Sequence, residues 1–147
     1  MSAMVVSVRL RQFSFGLPVA EVVDVIRLGA ITSVPLAPDW VAGVVNLRGR
    51  IVTAIDLARR LGLPDAEVPA VRPMSVVVQV AGEEYALIVD SVGDVIAVDE
   101  SLLEPVPTTL AAEAKRVSTG VLRRDDCLLL LVDTPRLLAA GAARLAA

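Results

Sequence analysis

Two aspartates, Asp90 and Asp133, stand in the pattern of this sequence that comes nearest to a catalytic motif. Each follows a run of apolar residues and precedes a serine or a threonine, which is how an aspartic protease presents the two carboxylates that share a proton. That chemistry needs glycine at the next position so that the backbone can turn, whereas this chain has Val92 and Pro135 there. We therefore expect both aspartates to end strands and to cap the turn or helix that follows. An aspartic-type hydrolase that uses Asp90 and Asp133 is the alternative that the pattern leaves open.

The remaining residue types exclude most other catalytic chemistry. The sequence contains no histidine, so neither a histidine-dependent zinc site nor a Ser-His-Asp triad is possible. The single cysteine, Cys127, cannot form an internal disulfide, and it follows two aspartates that disfavour its thiolate form. No glycine-rich phosphate loop ends in Lys-Ser or Lys-Thr, and the one lysine, Lys115, lies elsewhere. We expect no catalytic residue, no metal and no cofactor.

The length and composition predict one compact soluble domain or two very small ones. The chain has 147 residues, of which 55% are hydrophobic, a formal net charge of -3 and a pI near 4.9. Acidic residues outnumber basic ones and aromatic residues are few, so neither a basic footprint nor a base-stacking surface for nucleic acid is visible. Apolar runs such as residues 128–132 are far shorter than the ~18 residues that cross a bilayer, and the start lacks the pattern of a secretory signal. We expect a cytoplasmic protein that neither binds nucleic acid nor inserts into a membrane.

The distribution of valine predicts a chain built mainly of strands, because β-branched residues crowd less in a strand than in a helix. In residues 6–11 apolar and polar residues alternate, as in a half-buried strand. Further strands are predicted over residues 18–27, 50–55, 75–80, 84–90, 93–98 and 127–132. Short helices that begin after a capping aspartate are predicted over residues 40–44, 57–61 and 135–138, with an alanine-rich helix over residues 137–147.

The two halves of the sequence repeat each other. At a shift of 70 residues the matching pairs are Phe15 and Tyr85, Leu17 and Leu87, Val22 and Val92, Asp24 and Asp94, and Val25 and Val95. At a shift of 77 they are Gly43 and Gly120, Ile51 and Leu128, Asp56 and Asp133, and Arg59 and Arg136. The repeat predicts a single domain, residues 1–147, that holds two similar small barrels over about residues 4–66 and 74–140. It leaves open whether strands are exchanged between them.

One charged pair, Asp24 and Arg48, is left without a catalytic or metal-binding explanation. An arginine and a carboxylate on neighbouring strands can pair in a fixed geometry and orient each other beside an apolar groove. The alternative is a surface hairpin in which Arg48 meets water beside the turn at Gly49, where such a pair contributes only ~0–1 kcal/mol. The spacing of the residues favours neither interpretation.

The sequence resembles the bacterial chemotaxis coupling proteins, the CheW family. The resemblance rests on residues 15–26, on residues 43–57 with their Asn-Leu-Arg-Gly run, and on two later strands over residues 87–95 and 128–133. It spans residues 5–138. It implies an all-β fold of two five-stranded SH3-like barrels with short helices and a C-terminal helix, in agreement with the internal repeat.

The resemblance also implies a function and a site. Members of this family are non-enzymatic adaptors that bridge the cytoplasmic hairpin tip of a chemoreceptor to the regulatory domain of a CheA-type histidine kinase, at membrane-associated receptor arrays. A receptor-binding groove is implied that comprises Val22, Asp24, Val25, Gly43, Asn46, Leu47, Arg48, Val92 and Val95. Asp24 stands where the family usually has the longer glutamate, and Thr53 where it often has proline. These departures leave an alternative: a divergent array component that binds only kinase or only receptor, in a pathway that does not control swimming.

Overall fold

The computed structural model describes residues 2–68, 72–107, 112–124 and 127–138. Ten strands make up most of these residues. They are β1 (Ser2–Leu10), β2 (Phe13–Pro18), β3 (Val22–Arg27), β4 (Val41–Leu47), β5 (Arg50–Asp56), β6 (Met74–Val80), β7 (Glu83–Val89), β8 (Ser91–Asp99), β9 (Ser118–Arg124) and β10 (Cys127–Val132). Helical structure is short: α1 (Leu57–Arg60), α2 (Ala112–Arg116), 3-10 turns at Val19–Glu21 and Glu100–Leu102, and a helix over residues 134–138.

The strands form two five-stranded sheets. The first sheet has the order β8-β1-β2-β10-β9 and the second has the order β3-β6-β7-β5-β4. Each sheet thus combines the first two strands of one sequence repeat with the last three strands of the other, and the two orders are the same once the repeats are matched. The predicted all-β class with two five-stranded units is confirmed. Within the described residues, the strand pairing leaves both sheets open at their edge strands instead of closing either into a complete barrel.

Among the described residues, three apolar clusters hold the sheets together. The central core lies between the two sheets and takes buried side chains from both, among them Leu10 and Leu17 from the first and Ile55 and Leu87 from the second. A smaller cluster around Val77 belongs to the second sheet, and another, of Val5, Val98, Leu122, Leu129 and Leu131, to the first. Because a fully buried apolar side chain of this size stabilises the fold by ~1.5–3 kcal/mol, the central core binds the two sheets into one unit.

Two of the predicted helical segments are correct and one is wrong. The helix predicted over residues 40–44 is strand β4, since three of its residues are valines that pack against β5 and since Gly43 has a φ of +147°, which no helix accommodates. Asp56 caps α1 by accepting the N–H of Arg59, at 3.2 Å. Residues 134–138 are helical as predicted, and the remainder of the predicted C-terminal helix lies outside the described residues.

Candidate functional site

Asp24 and Arg48 form an ion pair that links the two edges of the second sheet. Asp24 lies on edge strand β3, and Arg48 lies at the tip of the hairpin that joins β4, the other edge strand, to β5. The Arg48 Nη2 donates to Asp24 Oδ2 at 3.1 Å, and Asp24 Oδ1 accepts the N–H of Val25 at 2.8 Å. The shorter aspartate side chain therefore reaches the arginine. Arg48 also meets water at the tip of a surface hairpin, so both interpretations of this pair describe part of its geometry.

The turn that presents Arg48 is strained at that residue. Arg48 and Gly49 have φ values of +55° and +84°, as in a two-residue type I′ turn, where asparagine followed by glycine fits best. The Asn46 side chain supports the turn, because its Oδ1 accepts the N–H of Gly49 at 3.0 Å. A non-glycine residue with positive φ costs roughly 1–2 kcal/mol. The Arg48 side chain is 81% exposed, so its ion pair returns only ~0–1 kcal/mol to the fold.

Two other residues of the predicted groove, Gly43 and Leu47, have a structural role in strand β4. A Cβ on Gly43 would lie 2.2 Å from the carbonyl oxygen of Thr32, which accepts the N–H of Val44 at 2.8 Å across the edge of β4. Only glycine allows the backbones to approach this closely. Leu47 packs against the apolar cluster of the second sheet. Gly43 and Leu47 therefore shape the strand that ends in Arg48.

Four valines lie on the sides of β3 and β8 that face the central core. Val22 pairs with Val78 and Val25 with Val76, and a bulge between them places both on the same face of β3. Across the repeat, Val92 pairs with Val8 and Val95 with Val6, again with a bulge between. The inner members, Val22 and Val92, are partly buried against the central core. Val25 and Val95 are 40% and 56% exposed. We call these four residues the valine strip.

The nine predicted residues are therefore divided between two surfaces. The valine strip lies on the side of the central core. Asp24, which pairs across the sheet with Val77, lies on the opposite face of β3 and is bound to Arg48. Gly43, Asn46 and Leu47 lie on β4, the strand that leads to Arg48. Edge strand β3 connects the two surfaces, since it carries Asp24 on one face and Val22 and Val25 on the other.

One residue beside this strand was missed by the sequence analysis. Glu21 ends the 3-10 turn that precedes Val22, and its Oε2 is buried and accepts no hydrogen bond among the described residues. A carboxylate placed directly before a run of valines is a signal in the sequence, but burial of one of its oxygens is visible only in the fold.

The contacts of Asp90 and Asp133 do not resemble those of two carboxylates that share a proton. Asp90 binds Arg11, whose Nη1 donates to Oδ1 at 2.7 Å. Asp133 Oδ1 accepts the N–H of Arg136 at 3.1 Å, and its Oδ2 lies 3.5 Å from the Nε of the same arginine. Each carboxylate follows a strand, and Asp133 caps the helix after it, as predicted. The capping prediction is wrong for Asp90, whose carboxylate accepts hydrogen bonds from the backbone and the side chain of Arg11 instead of from the residues that follow it.

Neither a metal-binding group nor a membrane-spanning helix is found among the described residues. In the part of the chain that the structure describes, no three histidine, cysteine, aspartate or glutamate side chains are grouped so that they could hold a metal ion. Among the same residues, no helix combines the length and the apolar character needed to cross a membrane.

Comparison with known proteins gives consistent matches. The model of the CheW-like domain family matches residues 4–142. The chemotaxis protein CheW of Rhizobium meliloti is 35% identical over 102 residues, and the probable chemotaxis protein CheW of Rhizobium etli is 33% identical over the same length. Each of these matches covers 69% of this chain and 65% of the relative, so the chain spans somewhat less than two thirds of their length.

Two further relatives are covered more fully. The chemotaxis protein CheW of Thermotoga maritima is 28% identical over 134 residues, which are 91% of this chain and 86% of the relative. The crystal structure of the scaffolding protein TtCheW from Thermoanaerobacter tengcongensis superposes with a TM-score of 0.77 at 30% identity, over 90% of this chain and 89% of that one. Because the family model covers nearly the whole sequence and the fold agrees with it, this chain belongs to the CheW-like domain family.

Proposed function

We propose that this protein is a non-enzymatic adaptor that couples the cytoplasmic hairpin tip of a chemoreceptor to the regulatory domain of a CheA-type histidine kinase. Membership of the CheW-like domain family supports a chemotaxis scaffold, and a structural relative is itself described as a scaffolding protein. In this proposal the protein works in the cytoplasm at membrane-associated receptor arrays. It needs no cofactor and no catalytic residue.

The observation that carries the proposal is the exposed and strained Arg48. A positive φ is unfavourable for arginine, and its ion pair with Asp24 is too exposed to repay that cost in stability. A residue that weakens its own turn while projecting a guanidinium into solvent is better explained by recognition than by folding. Its pairing with Asp24 holds the guanidinium in a fixed direction, which lowers the entropy lost when a partner binds.

The valine strip supplies the apolar part of the proposed receptor site. An amphipathic helix binds a groove through apolar side chains on one face, while charged residues beside the groove set its orientation. Val25 and Val95 offer exposed apolar area on the two edge strands, and Val22 and Val92 continue it into the central core. Because Asp24 and Arg48 lie on the other face of β3, a helix that lies along the edge of this strand would touch both surfaces.

The test is a pair of binding titrations with the purified protein. One uses the regulatory domain of the CheA-type kinase from the same organism, and the other uses the cytoplasmic hairpin of a cognate chemoreceptor. The variant is Arg48→Glu, and the matched control is Arg124→Glu, which reverses an exposed arginine beside the corresponding hairpin of the first sheet. We expect the unmodified protein to bind both partners and Arg48→Glu alone to weaken receptor binding by about tenfold or more.

The outcomes separate the proposal from its alternative. Binding to both partners with a selective effect of Arg48→Glu supports the adaptor. Binding to only the kinase or only the receptor identifies a specialised array component in place of a bridge. If neither partner binds, the CheW-like fold serves another partner here and the proposal fails.

A further inference from the structure

Both sheets of this fold are assembled from both sequence repeats. The first sheet combines β1 and β2 of the first repeat with β8, β9 and β10 of the second, and the second sheet combines β6 and β7 with β3, β4 and β5. Among the described strands, β3 is bonded to β6 alone and β8 to β1 alone. One repeat by itself would therefore leave a strand without a hydrogen-bonded neighbour, so each repeat needs another to complete its sheets.

One covalent connection joins the two repeats. It runs over residues 61–73, between α1 and β6, and the structure describes residues 61–68 and 72–73 of it. The strand pairs between the repeats, β1 with β8, β2 with β10, β3 with β6 and β5 with β7, all lie outside it. The same pairs would form if the second repeat came from a second copy of the chain, because an exchanged element makes identical contacts in its new place. The path of the connection therefore decides between a closed monomer and an exchanged dimer.

Two arginines of the first repeat bind the first part of the connection. Arg59 donates from Nε and Nη2 to the two carboxylate oxygens of Asp65, at 2.9 and 3.1 Å. Arg11 donates from Nε to the carbonyl oxygen of Pro64 at 2.8 Å. These contacts hold the connection against α1 and against the turn between β1 and β2, which both belong to the first repeat.

A third arginine of the first repeat binds the second part. Arg27 Nη1 donates to the carbonyl oxygen of Arg72 at 3.2 Å, and the backbone N–H of Leu28 donates to the carbonyl oxygen of Pro73 at 2.8 Å. Each contact at an exposed position is weak, but together they fix both described parts of the connection on one repeat. The composition of the connection acts against this closed path, since three of its residues are proline and proline keeps a connecting segment stiff and extended.

We propose that this chain forms an exchanged dimer, in which the second repeat of each copy completes the two sheets of the other, and that Arg11, Arg27 and Arg59 disfavour the exchange by stabilising the closed monomer. The partner is thus a second copy of this chain. Within one chain the second repeat binds at the high effective concentration that a short connection provides. The dimer is therefore expected when the contacts of the connection are lost, or when the chain folds at high protein concentration.

Exchange would duplicate the proposed receptor site. The valine strip takes Val22 and Val25 from β3 in the first repeat and Val92 and Val95 from β8 in the second. Each half of an exchanged dimer contains one β3 and one β8, so the dimer has two complete strips, each built from two chains. The exchanged dimer would then be a bivalent form of the adaptor. This consequence rests on the proposed function, whereas the exchange itself does not.

The test changes the length of the connection in the full chain. Removal of the exposed residues Ala66, Glu67 and Val68 shortens its reach by about 10 Å, so that the closed path no longer keeps both parts bound. The matched control inserts Gly-Ser-Gly after Ala66. Each protein is refolded from urea at high concentration, and light scattering after size-exclusion chromatography measures its mass. We expect at least half of the shortened protein to have twice the monomer mass of 15.4 kDa, and the control and the unmodified protein to be mostly monomeric.

Loss of the arginine contacts should act in the same direction. The double variant Arg27→Gln/Arg59→Gln is expected to raise the dimer fraction after refolding by about fivefold relative to the unmodified protein. Its matched control, Arg123→Gln/Arg136→Gln, removes two exposed arginines that form their ion pairs within the second repeat. This control should leave the dimer fraction unchanged.

Exchange differs from ordinary surface association in its kinetics. An exchanged dimer returns to monomer only through unfolding, which is slow, so it should persist after dilution. It should also form mixed dimers with isotopically labelled chains only when both proteins are unfolded and refolded together, which native mass spectrometry detects. Dimers that dissociate at once on dilution, or that mix without unfolding, would be held by a surface contact and would overturn the inference.

The remaining outcomes also decide. A shortened protein that stays monomeric and keeps the circular dichroism of the unmodified chain overturns the exchange. If the shortened chain does not fold, the arginine variants give the answer: a raised fraction of persistent dimer supports the exchange, and an unchanged fraction overturns it. None of these results depends on receptor binding through Arg48, so the proposed function stands or fails by its own titrations.

Discussion

The edge of the second sheet and the edge of the first sheet share one backbone design but carry different charges. In β3 and in β8 a bulge places two valines on the face of the central core, with the same register to the neighbouring strand. Asp24 and Asp94 occupy equivalent positions within these strands. Asp24 meets Arg48, but at the shift of 77 residues the counterpart of Arg48 is Asp125, which lies outside the described residues. The two repeats therefore share the bulge and the paired valines of the edge strand. Only the edge formed by β3 also has the exposed ion pair of Asp24 with Arg48.

A glycine in each repeat shows how far the shared design extends. Thr32 and Val44 exchange two backbone hydrogen bonds at 2.9 and 2.8 Å, and Glu104 and Val121 exchange two at 2.8 and 2.9 Å. In both cases a glycine precedes the second residue, Gly43 in one repeat and Gly120 in the other. The space around the two glycines differs. A Cβ on Gly43 would lie 2.2 Å from the carbonyl oxygen of Thr32, whereas a Cβ on Gly120 would lie 3.3 Å from the carbonyl oxygen of Glu104.

The largest effect is expected from alanine at these two glycines. Gly43→Ala should lower the free energy of unfolding by more than about 3 kcal/mol, because the new methyl group collides with backbone and the φ of +147° is unfavourable for alanine. Gly120→Ala should cost about 1 kcal/mol, since a small shift relieves its contact. Urea unfolding of both variants measures the difference. Equal losses would contradict the unequal clearance on which this comparison depends.

Loss of a helix cap should have the next largest effect, and the same effect in both repeats. Asp56 and Asp133 each accept the N–H of an arginine three residues later, at 3.2 and 3.1 Å. Asp56→Ala and Asp133→Ala should each lower the free energy of unfolding by about 1 kcal/mol. The control is Asp39→Ala, at the residue that precedes the segment wrongly predicted to be helical, and this change should stay within about 0.5 kcal/mol of the unmodified protein. A larger loss at Asp39 would mean that its side chain stabilises the fold in another way.

A smaller effect of opposite sign is expected at the hairpin tips. Arg48 and Ala81 both have positive φ and are followed by a glycine with positive φ, so asparagine at either position should raise the free energy of unfolding by about 0.5 kcal/mol. The two variants should differ in function. Arg48→Asn should weaken receptor binding, and Ala81→Asn should not.

Thermal unfolding and the receptor titration together check this pair of variants. If Arg48→Asn destabilised the protein while Ala81→Asn stabilised it, the ion pair with Asp24 would contribute more to folding than its exposure indicates. The proposed trade-off between turn stability and recognition at Arg48 would then be wrong.

Most of the fold was predictable from the sequence because the repeat identifies equivalent residues. The matches of Phe15 with Tyr85 and of Asp56 with Asp133 correspond to equivalent strand and cap positions in the structure. The repeat does not determine which copy of a strand pairs with which. The strands β5 and β10 are equivalent in the repeat, so the sequence is compatible with a parallel pairing of β2 with either of them. The choice depends on long-range packing, and in the structure β2 pairs with β10 and β7 with β5.

The site was less predictable than the fold. The sequence indicated Asp24 and Arg48 but could not decide between pairing and solvation, since that depends on the approach of two edge strands separated by three others in the sheet order. The helix predicted after Asp39 failed because a capping residue is a local signal, whereas the pairing of β4 with β5 is a non-local one. Glu21 was missed for a related reason: nothing in a sequence reports that one oxygen of a carboxylate is buried.

The smallest effect is expected from one ring position that differs between the repeats, Phe15 in β2 and Tyr85 in β7. Burial raises the pKa of the Tyr85 hydroxyl above its ordinary value of 10.0, and the nearby negative charge of Glu83 raises it further. The unfolded chain therefore loses this proton at lower pH than the folded protein does. The stability associated with the neutral phenol is complete below about pH 10 and declines as the pH rises towards the raised pKa. Because the chain has a single tyrosine, tyrosinate absorbance reports this titration directly.

Tyr85→Phe gives the second sheet the ring that the first sheet already has, and it should flatten the dependence of unfolding free energy on pH above about 10. At neutral pH the variant should be nearly as stable as the unmodified protein, because no hydrogen bond of the hydroxyl is found among the described residues and the apolar ring is retained in the central core. An alkaline slope that persisted unchanged in Tyr85→Phe would contradict the assignment of that slope to the Tyr85 hydroxyl. The difference between Phe15 and Tyr85 at this position of the two repeats would then have no effect on the stability of the fold.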